Sequence, residues 1–322
     1  MSMFRIVKVG CVTLACATFA AFGSSAHAQQ AQKIRIGWQK AVFNQAIAKA
    51  QGNLERNLKA KGVQVEWVEF QVGPPMMEAL NVGSLDLAAT ANTPPVFAQV
   101  AGADFVYIAA EAPTPGDLKI LVAKSSSIYS AADLKGKKMA IPKGSMAHFM
   151  AVRFLESNGL QFGDIQPVYL SPADGRAALE SGAVDAWSAF DPLMAGAEAG
   201  GNVRTLADGF QAGAYNRQMY FARREFAKTN GPLVAAVLAE IEMTSRYIHD
   251  NVEEVAQKYA AGMGLDPVTF ARVLERNRVN HIVSPIDAGI IAEQQALADT
   301  FHRLKLIPRK VDISQAAWKA SP

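Results

Sequence analysis

Four short stretches of this chain gather hydrogen-bond donors and aromatic surface where a strand pattern gives way to a loop. They are Trp38-Gln39-Lys40-Ala41-Val42-Phe43, Thr90-Ala91-Asn92-Thr93, Lys143-Gly144-Ser145-Met146-Ala147-His148 and Trp187-Ser188-Ala189-Phe190-Asp191-Pro192. Three of the four lead into predicted helices, whose first N–H groups are unpaired and carry partial positive charge, a setting that suits an anion. Thr90, Asn92, Thr93, Ser145 and His148 add donors, and the second and third stretches contain no carboxylate. Such a ring fits an oxyanion that only accepts hydrogen bonds. Gln39, Met146, Trp187, Phe190 and Asp191 complete the candidate ligand-binding set.

Each of these residues also has an ordinary use. Thr90, Asn92 and Thr93 are placed to cap the helix that Pro94 starts, and Ser145 is an N-cap by type and position. Trp187 and Phe190 share a short strand with Ala186 and Ala189, so one of them is expected in the core. Asp191-Pro192 reads as a turn. Lys40 and Lys143 can lend positive potential without touching a ligand.

The constellations that carry hydrolytic or metal chemistry are missing. There is no Gly-x-Ser-x-Gly elbow, no His-Glu-x-x-His, and no Gly-rich phosphate loop ending in Lys-Ser or Lys-Thr. His148, His249, His281 and His302 are too scattered to suggest a metal site. The expectation is a binding protein without cofactor, not an enzyme.

The elements that must position the four stretches alternate. Strand patterns at 33–38, 63–70, 85–89, 105–110 and 118–123 alternate with helical ones at 45–61, 73–82 and from Pro94 onward. This βαβ rhythm implies mostly parallel sheets covered by helices on both faces. A second set follows: a strand at 138–141, a helix at 145–158, a strand at 168–170, a helix that Ser171 caps, and a strand at 183–190. Strand Tyr220–Arg223 then returns, and the rest is helical. The simplest arrangement is two α/β lobes, with 124–216 inserted between 29–123 and 217–322. Ligand would bind at the carboxyl ends of strands, in the cleft between lobes.

Residues 1–28 have the form of a secretory leader. Arg5 and Lys8 precede an apolar run from Val9 to Phe22 that is too short to span a bilayer, and Ala26-His27-Ala28 fits a cleavage site after Ala28. Both cysteines, Cys11 and Cys16, lie in this segment, and Thr13-Leu14-Ala15 makes a poor lipidation box before Cys16. Export to the periplasm is therefore expected, with neither disulfide nor thiol in the working protein. The leader holds two of the 32 basic residues and none of the 29 acidic ones, so the remainder is nearly neutral. Without a block of like charge, nucleic acid and anionic lipid are poor partners, and a monomer is expected.

Several of these segments also resemble a known family. Glu78-Ala79-Leu80-Asn81-Val82-Gly83-Ser84-Leu85-Asp86-Leu87 and Pro94-Pro95-Val96-Phe97-Ala98-Gln99 resemble signatures of periplasmic aliphatic sulfonate-binding proteins. Asp133-Leu134-Lys135-Gly136-Lys137 through Pro142-Lys143-Gly144-Ser145 is similar to the wider taurine, nitrate and sulfonate group. The segment from Leu306 to Ile313 resembles the end of the sulfonate branch. The resemblance implies a two-lobed periplasmic binding protein fold of type II-like topology. It implies capture of an aliphatic, or aryl, sulfonate for sulfur uptake and delivery to the membrane permease of an ABC transporter. Binders of taurine, nitrate or a pyrimidine precursor, and a related-fold exported enzyme, are the alternatives. Within the resemblance, Ser145 and His148 match pocket positions. Phe43, Met146, Ala147 and Phe190 stand where smaller or more polar residues are usual, which points to a more apolar cleft that prefers larger hydrocarbon tails over taurine. Arg217 replaces a small residue, and either surface or ligand can claim it.

Overall fold

The computed structural model describes residues 32–114, 116–277 and 282–318. The leader, both cysteines and His281 lie outside them. In chain order the first elements are β1 (Gln32–Trp38), α1 (Phe43–Gln51), α2 (Asn53–Lys59), β2 (Val63–Glu69), α3 (Gly73–Asn81), β3 (Leu87–Ala91), α4 (Thr93–Val100) and β4 (Phe105–Glu111). Then come β5 (Leu118–Ala123), β6 (Lys138–Ile141), α5 (Met146–Ser157), β7 (Gln166–Tyr169), α6 (Pro172–Glu180), β8 (Ala186–Phe190), α7 (Leu193–Ala199), β9 (Val203–Asp208) and α8 (Gly209–Ala212). The chain closes with β10 (Gln218–Arg223), α9 (Arg224–Thr229), α10 (Gly231–Asp250), α11 (Val252–Met263), α12 (Pro267–Arg276), β11 (Val283–Pro285) and α13 (Ala288–Arg303).

The strands form two sheets, ordered β11-β4-β10-β3-β1-β2 and β7-β6-β8-β5-β9. In each, a parallel trio is followed by one strand running the other way. β10 is antiparallel to β3 and β4, and β5 is antiparallel to β8 and β9. The same plan thus occurs twice, although the sequence shows no internal repeat.

Three local differences from the sequence patterns have physical causes. The helix expected over 45–61 is two helices, because Gly52 adopts φ of 67° and its N–H closes the first helix on Ala48 and Lys49 carbonyls. Leu118–Ala123, expected to end the first lobe, is a strand of the second sheet, pairing with β8 from Leu118↔Phe190 onward. The chain therefore leaves the first sheet before 118. Strands β9 and β11, each at a sheet edge, are additional to the sequence patterns, since neither carries a clean alternation.

The two passages between the sheets run side by side. Thr114 and Asn216 pair as an isolated antiparallel bridge, with N–H···O distances of 2.7 and 2.9 Å. Apolar packing supports both sheets: Phe105, Tyr107 and Phe221 meet edge-to-face beneath the first, and Trp187, Leu121 and Met194 fill the second. Phe149 of α5 meets Phe301 of α13 at 5.0 Å, joining the two halves.

Candidate functional site

Between the sheets lies a small cavity of about 30 Å³, walled by residues from both. One end is made of helix beginnings. Val72 is extended and Gly73 opens α3, with Pro74 and Pro75 in the first turn. A Cβ on Gly73 would stand 2.4 Å from both Pro94 Cγ and Thr90 Oγ1. Only glycine lets α3 approach β3 and α4 this closely. Thr90, Ala91 and Pro94 line the cavity beside it, and Ser145 and Met146 bring the start of α5. The beginnings of three helices therefore border one cavity, where their dipoles favour negative charge, while Pro74, Pro75, Pro94 and Pro95 have no N–H to offer.

Ser145 is the cap that the sequence predicts. Its Oγ accepts from the His148 N–H at 3.4 Å and donates to the Pro142 carbonyl at 2.7 Å. Gly144, at φ of 72°, makes the turn before it. At α4 the sequence reading needs correction, because no side chain caps that helix. Thr93 donates instead to Met146 Sδ at 3.0 Å, tying α4 to α5.

Of the ten candidate residues, Gln39, Thr90, Ser145, Met146, Phe190 and Asp191 line the cavity. Four do not. Asn92 turns away, its amide directed at the Tyr215 carbonyl at 3.4 Å. Thr93 is fully buried on Met146. Trp187 is core: a Cβ on Gly175 would meet its Nε1 at 2.8 Å. His148 points to the far side of α5, its ring 5.1 Å from Phe162 and 6.0 Å from Tyr169, with Nδ1 accepting from the Gly144 N–H. Burial, with the Lys143 charge second, pushes its pKa down to about 4, so it is neutral.

The apolar cleft expected from four substitutions is only half present. Met146 and Phe190 reach the cavity, but Phe43 packs on Phe270 at 5.8 Å and Ala147 is buried, its carbonyl accepting from Ser188. Arg217 is claimed by the surface, binding Glu293 at 2.6 Å and the Glu111 carbonyl at 2.7 Å. Lys143 lies over the Tyr169 ring.

The opposite end of the cavity was not read from the sequence. Asp117, Asn216 and Gln218 line it together with Asp191. Asp117 and Asn216 come from the two passages between the sheets, and the Asn216 amide donates to Asp117. Asp191 accepts from the Ala195 N–H at 3.2 Å and stands 3.6 Å from Arg276. Burial raises both carboxyls, Asp117 to about 8 and Asp191 to about 6, each against opposing hydrogen bonds and the Arg276 charge.

The NMT1/THI5-like family model matches residues 57–255. The alkanesulfonate-binding protein SsuA from Xanthomonas axonopodis pv. citri, solved bound to MOPS, is 38% identical and superposes with a TM-score of 0.82, over 89% of this chain and 98% of that one. The periplasmic aliphatic sulphonate binding protein SsuA from Escherichia coli is 41% identical, with a TM-score of 0.77 over 90% and 93% of the two chains. The Escherichia coli taurine-binding periplasmic protein is 26% identical over 220 residues, 67% of this chain and 67% of its own length.

Proposed function

The chain belongs to the NMT1/THI5-like family, and we propose that within it the protein is a periplasmic solute-binding protein that captures aliphatic sulfonates for an ABC importer. The relatives of high identity are binding proteins, and the family supplies the permease as partner. One observation carries the ligand reading: the beginnings of α3, α4 and α5, with Thr90 and Ser145, converge on a single enclosed cavity. A sulfonate is ionised at any physiological pH and only accepts hydrogen bonds, which is what such an end offers.

A cavity of about 30 Å³ holds roughly one water molecule, so an organic anion enters only when its walls part. The bridge between Thr114 and Asn216 makes these passages the natural hinge. The proposed lobes then follow the sheets: β1–β4, β10 and β11 in one, β5–β9 in the other. Thr90 and Ser145 lie on opposite sides of that division. A ligand held by both favours the shut form, which is the differential affinity a closing switch needs. Residues 1–28 would be removed on export, and the binder would act as a monomer.

Calorimetry with purified protein tests this. Propanesulfonate or a related alkanesulfonate should bind 1:1 at micromolar affinity or better, about −8 kcal/mol, and be recovered intact. No heat with any alkane- or arylsulfonate would overturn the reading, and consumption of the ligand would make the protein an enzyme.

A further inference from the structure

We propose that the end of the cavity built by Asp117, Asp191, Asn216 and Gln218 receives a cationic nitrogen, so that the preferred ligands are sulfonates carrying an ammonium or protonated amine on a short spacer. This rests on the sulfonate reading of the opposite end and narrows it.

Asp117 Oδ1, Asn216 Oδ1 and Gln218 Oε1 are buried and without a hydrogen-bond partner, and Asp191 Oδ2 has only the Arg276 guanidinium, at 3.6 Å. All four residues line the same cavity. Each amide nitrogen donates one hydrogen bond, Asn216 Nδ2 to Asp117 and Gln218 Nε2 to the Ala41 carbonyl, while neither amide oxygen accepts any. A buried acceptor without a donor is costly, and three around one space call for a group that donates. An ammonium offers three N–H donors and no acceptor. A second alkyl wall or another oxyanion would leave the Asp117, Asn216 and Gln218 oxygens desolvated and unpaired.

Charge points the same way. The groups packed around the two carboxyls are Lys119 on β5, Glu198 on α7 and Arg276 at the end of α12. Lys119 and Arg276 both pair with Glu198, and Arg276 also faces Asp191. Counted as charged groups, three acids meet two cations. One more positive charge balances them, and charge-assisted hydrogen bonds to it are stronger than neutral ones. Leu118, Met146 and Phe190, lining the same cavity, suit the hydrocarbon between the two charged ends. On this proposal taurine-like ligands are favoured, because their ammonium finds partners.

The upward displacement of both carboxyls belongs to a protein without that cation, and a bound ammonium would draw their protons off. The test compares 3-aminopropanesulfonate with propanesulfonate, which differ at the amine, in buffers free of sulfonate groups. At pH 8 the aminated ligand should bind at least about tenfold tighter. The ratio should shrink by pH 5.5, and binding at pH 7 should release protons. Asp117→Asn and Asp191→Asn should each lower the affinity ratio severalfold. The proton release and pH-dependent ratio of the unaltered protein keep the test decisive if either variant folds poorly. Equal or weaker binding of the aminated ligand, with propanesulfonate bound tightly, overturns the inference and leaves the sulfonate reading standing. Failure of both ligands to bind overturns both.

Discussion

The two ends of the cavity are built by different means. At the donor end, each group is placed by the residues next to it in sequence. Gly73 and Pro74 start one helix, Pro94 and Pro95 another, and Ser145 caps a third through its own turn. At the acceptor end, each group is placed by chain from elsewhere: Asp117 is held by Asn216, 99 residues on, and Asp191 faces Arg276. At the donor end the Ser145 hydroxyl is bonded twice. The acceptor end keeps three buried oxygens unmatched, Asp117 Oδ1, Asn216 Oδ1 and Gln218 Oε1. The first end is a local consequence of helix termini, and the second exists only once the two sheets are assembled.

The largest expected effect breaks the donor end. Ser145→Ala removes a hydroxyl beside a desolvated anion and should cost about 1.5–3 kcal/mol of sulfonate binding. It should also cost about 1 kcal/mol of stability, since the same oxygen caps α5. Thr90→Val, which keeps the shape, should match the binding loss without the capping loss. Titration calorimetry and thermal melts on the two variants separate these. Unchanged affinity in both, with the fold intact, would put the anion elsewhere.

This contrast also explains what the sequence made legible. Local signals were read correctly: Lys138–Ile141 as a strand, Ser145 and Ser171 as caps, Pro-Pro as a helix start. The acceptor end was not, because no short-range pattern says that residues near 117 and 216 meet. A signal was nevertheless present. Pro113-Thr114-Pro115-Gly116-Asp117 is a run of turn formers just before a strand, a natural place for the chain to change sheets. Arg217 attracted notice for its charge, yet in extended chain alternate side chains face opposite ways. Arg217 goes to Glu293 on the surface, and its neighbours Asn216 and Gln218 face the cavity. His148 shows the converse: a donor by type in one of the four loops, on a helix that packs its ring against Phe162 and Tyr169.

A smaller effect sharpens the acceptor end without any ligand. Asp117 titrates near 8 in the folded protein against about 3.8 in a free side chain. A raised acid contributes stability that is fully present below the unfolded value and lost as pH rises through the folded one. Asp191, raised to about 6, acts in the same direction over a shorter range. Asp117→Asn removes the charge and keeps the acceptor for Asn216. Relative to the unaltered protein, its stability should climb between about pH 4 and pH 8 and then level. Urea titrations across that range measure it. A variant equally destabilised at every pH would mean that Asp117 is not ionised at cost, and the contrast between the ends would lose its energetic basis.

The smallest effect has the opposite sign and belongs to the donor end. His148 is buried beside Phe162 and Tyr169, and its pKa lies near 4 against 6.5 in a free side chain. A lowered base contributes stability that is present above the unfolded value and lost as pH falls through the folded one. The unfolded chain binds a proton between about pH 6.5 and pH 4 that the folded protein refuses. His148→Asn keeps an acceptor for the Gly144 N–H and cannot take up that proton. It should flatten the acid limb of the stability curve and leave the alkaline limb to Asp117 and Asp191. The two ends then have separable signatures: one loses stability as pH falls, the other as pH rises. If the acid limb persists unchanged in His148→Asn, other groups set it, and the neutral ring is packing alone. If sulfonate affinity falls with it by more than the capping of α5 accounts for, His148 reaches the anion after all through the Gly144 turn that its ring holds in place.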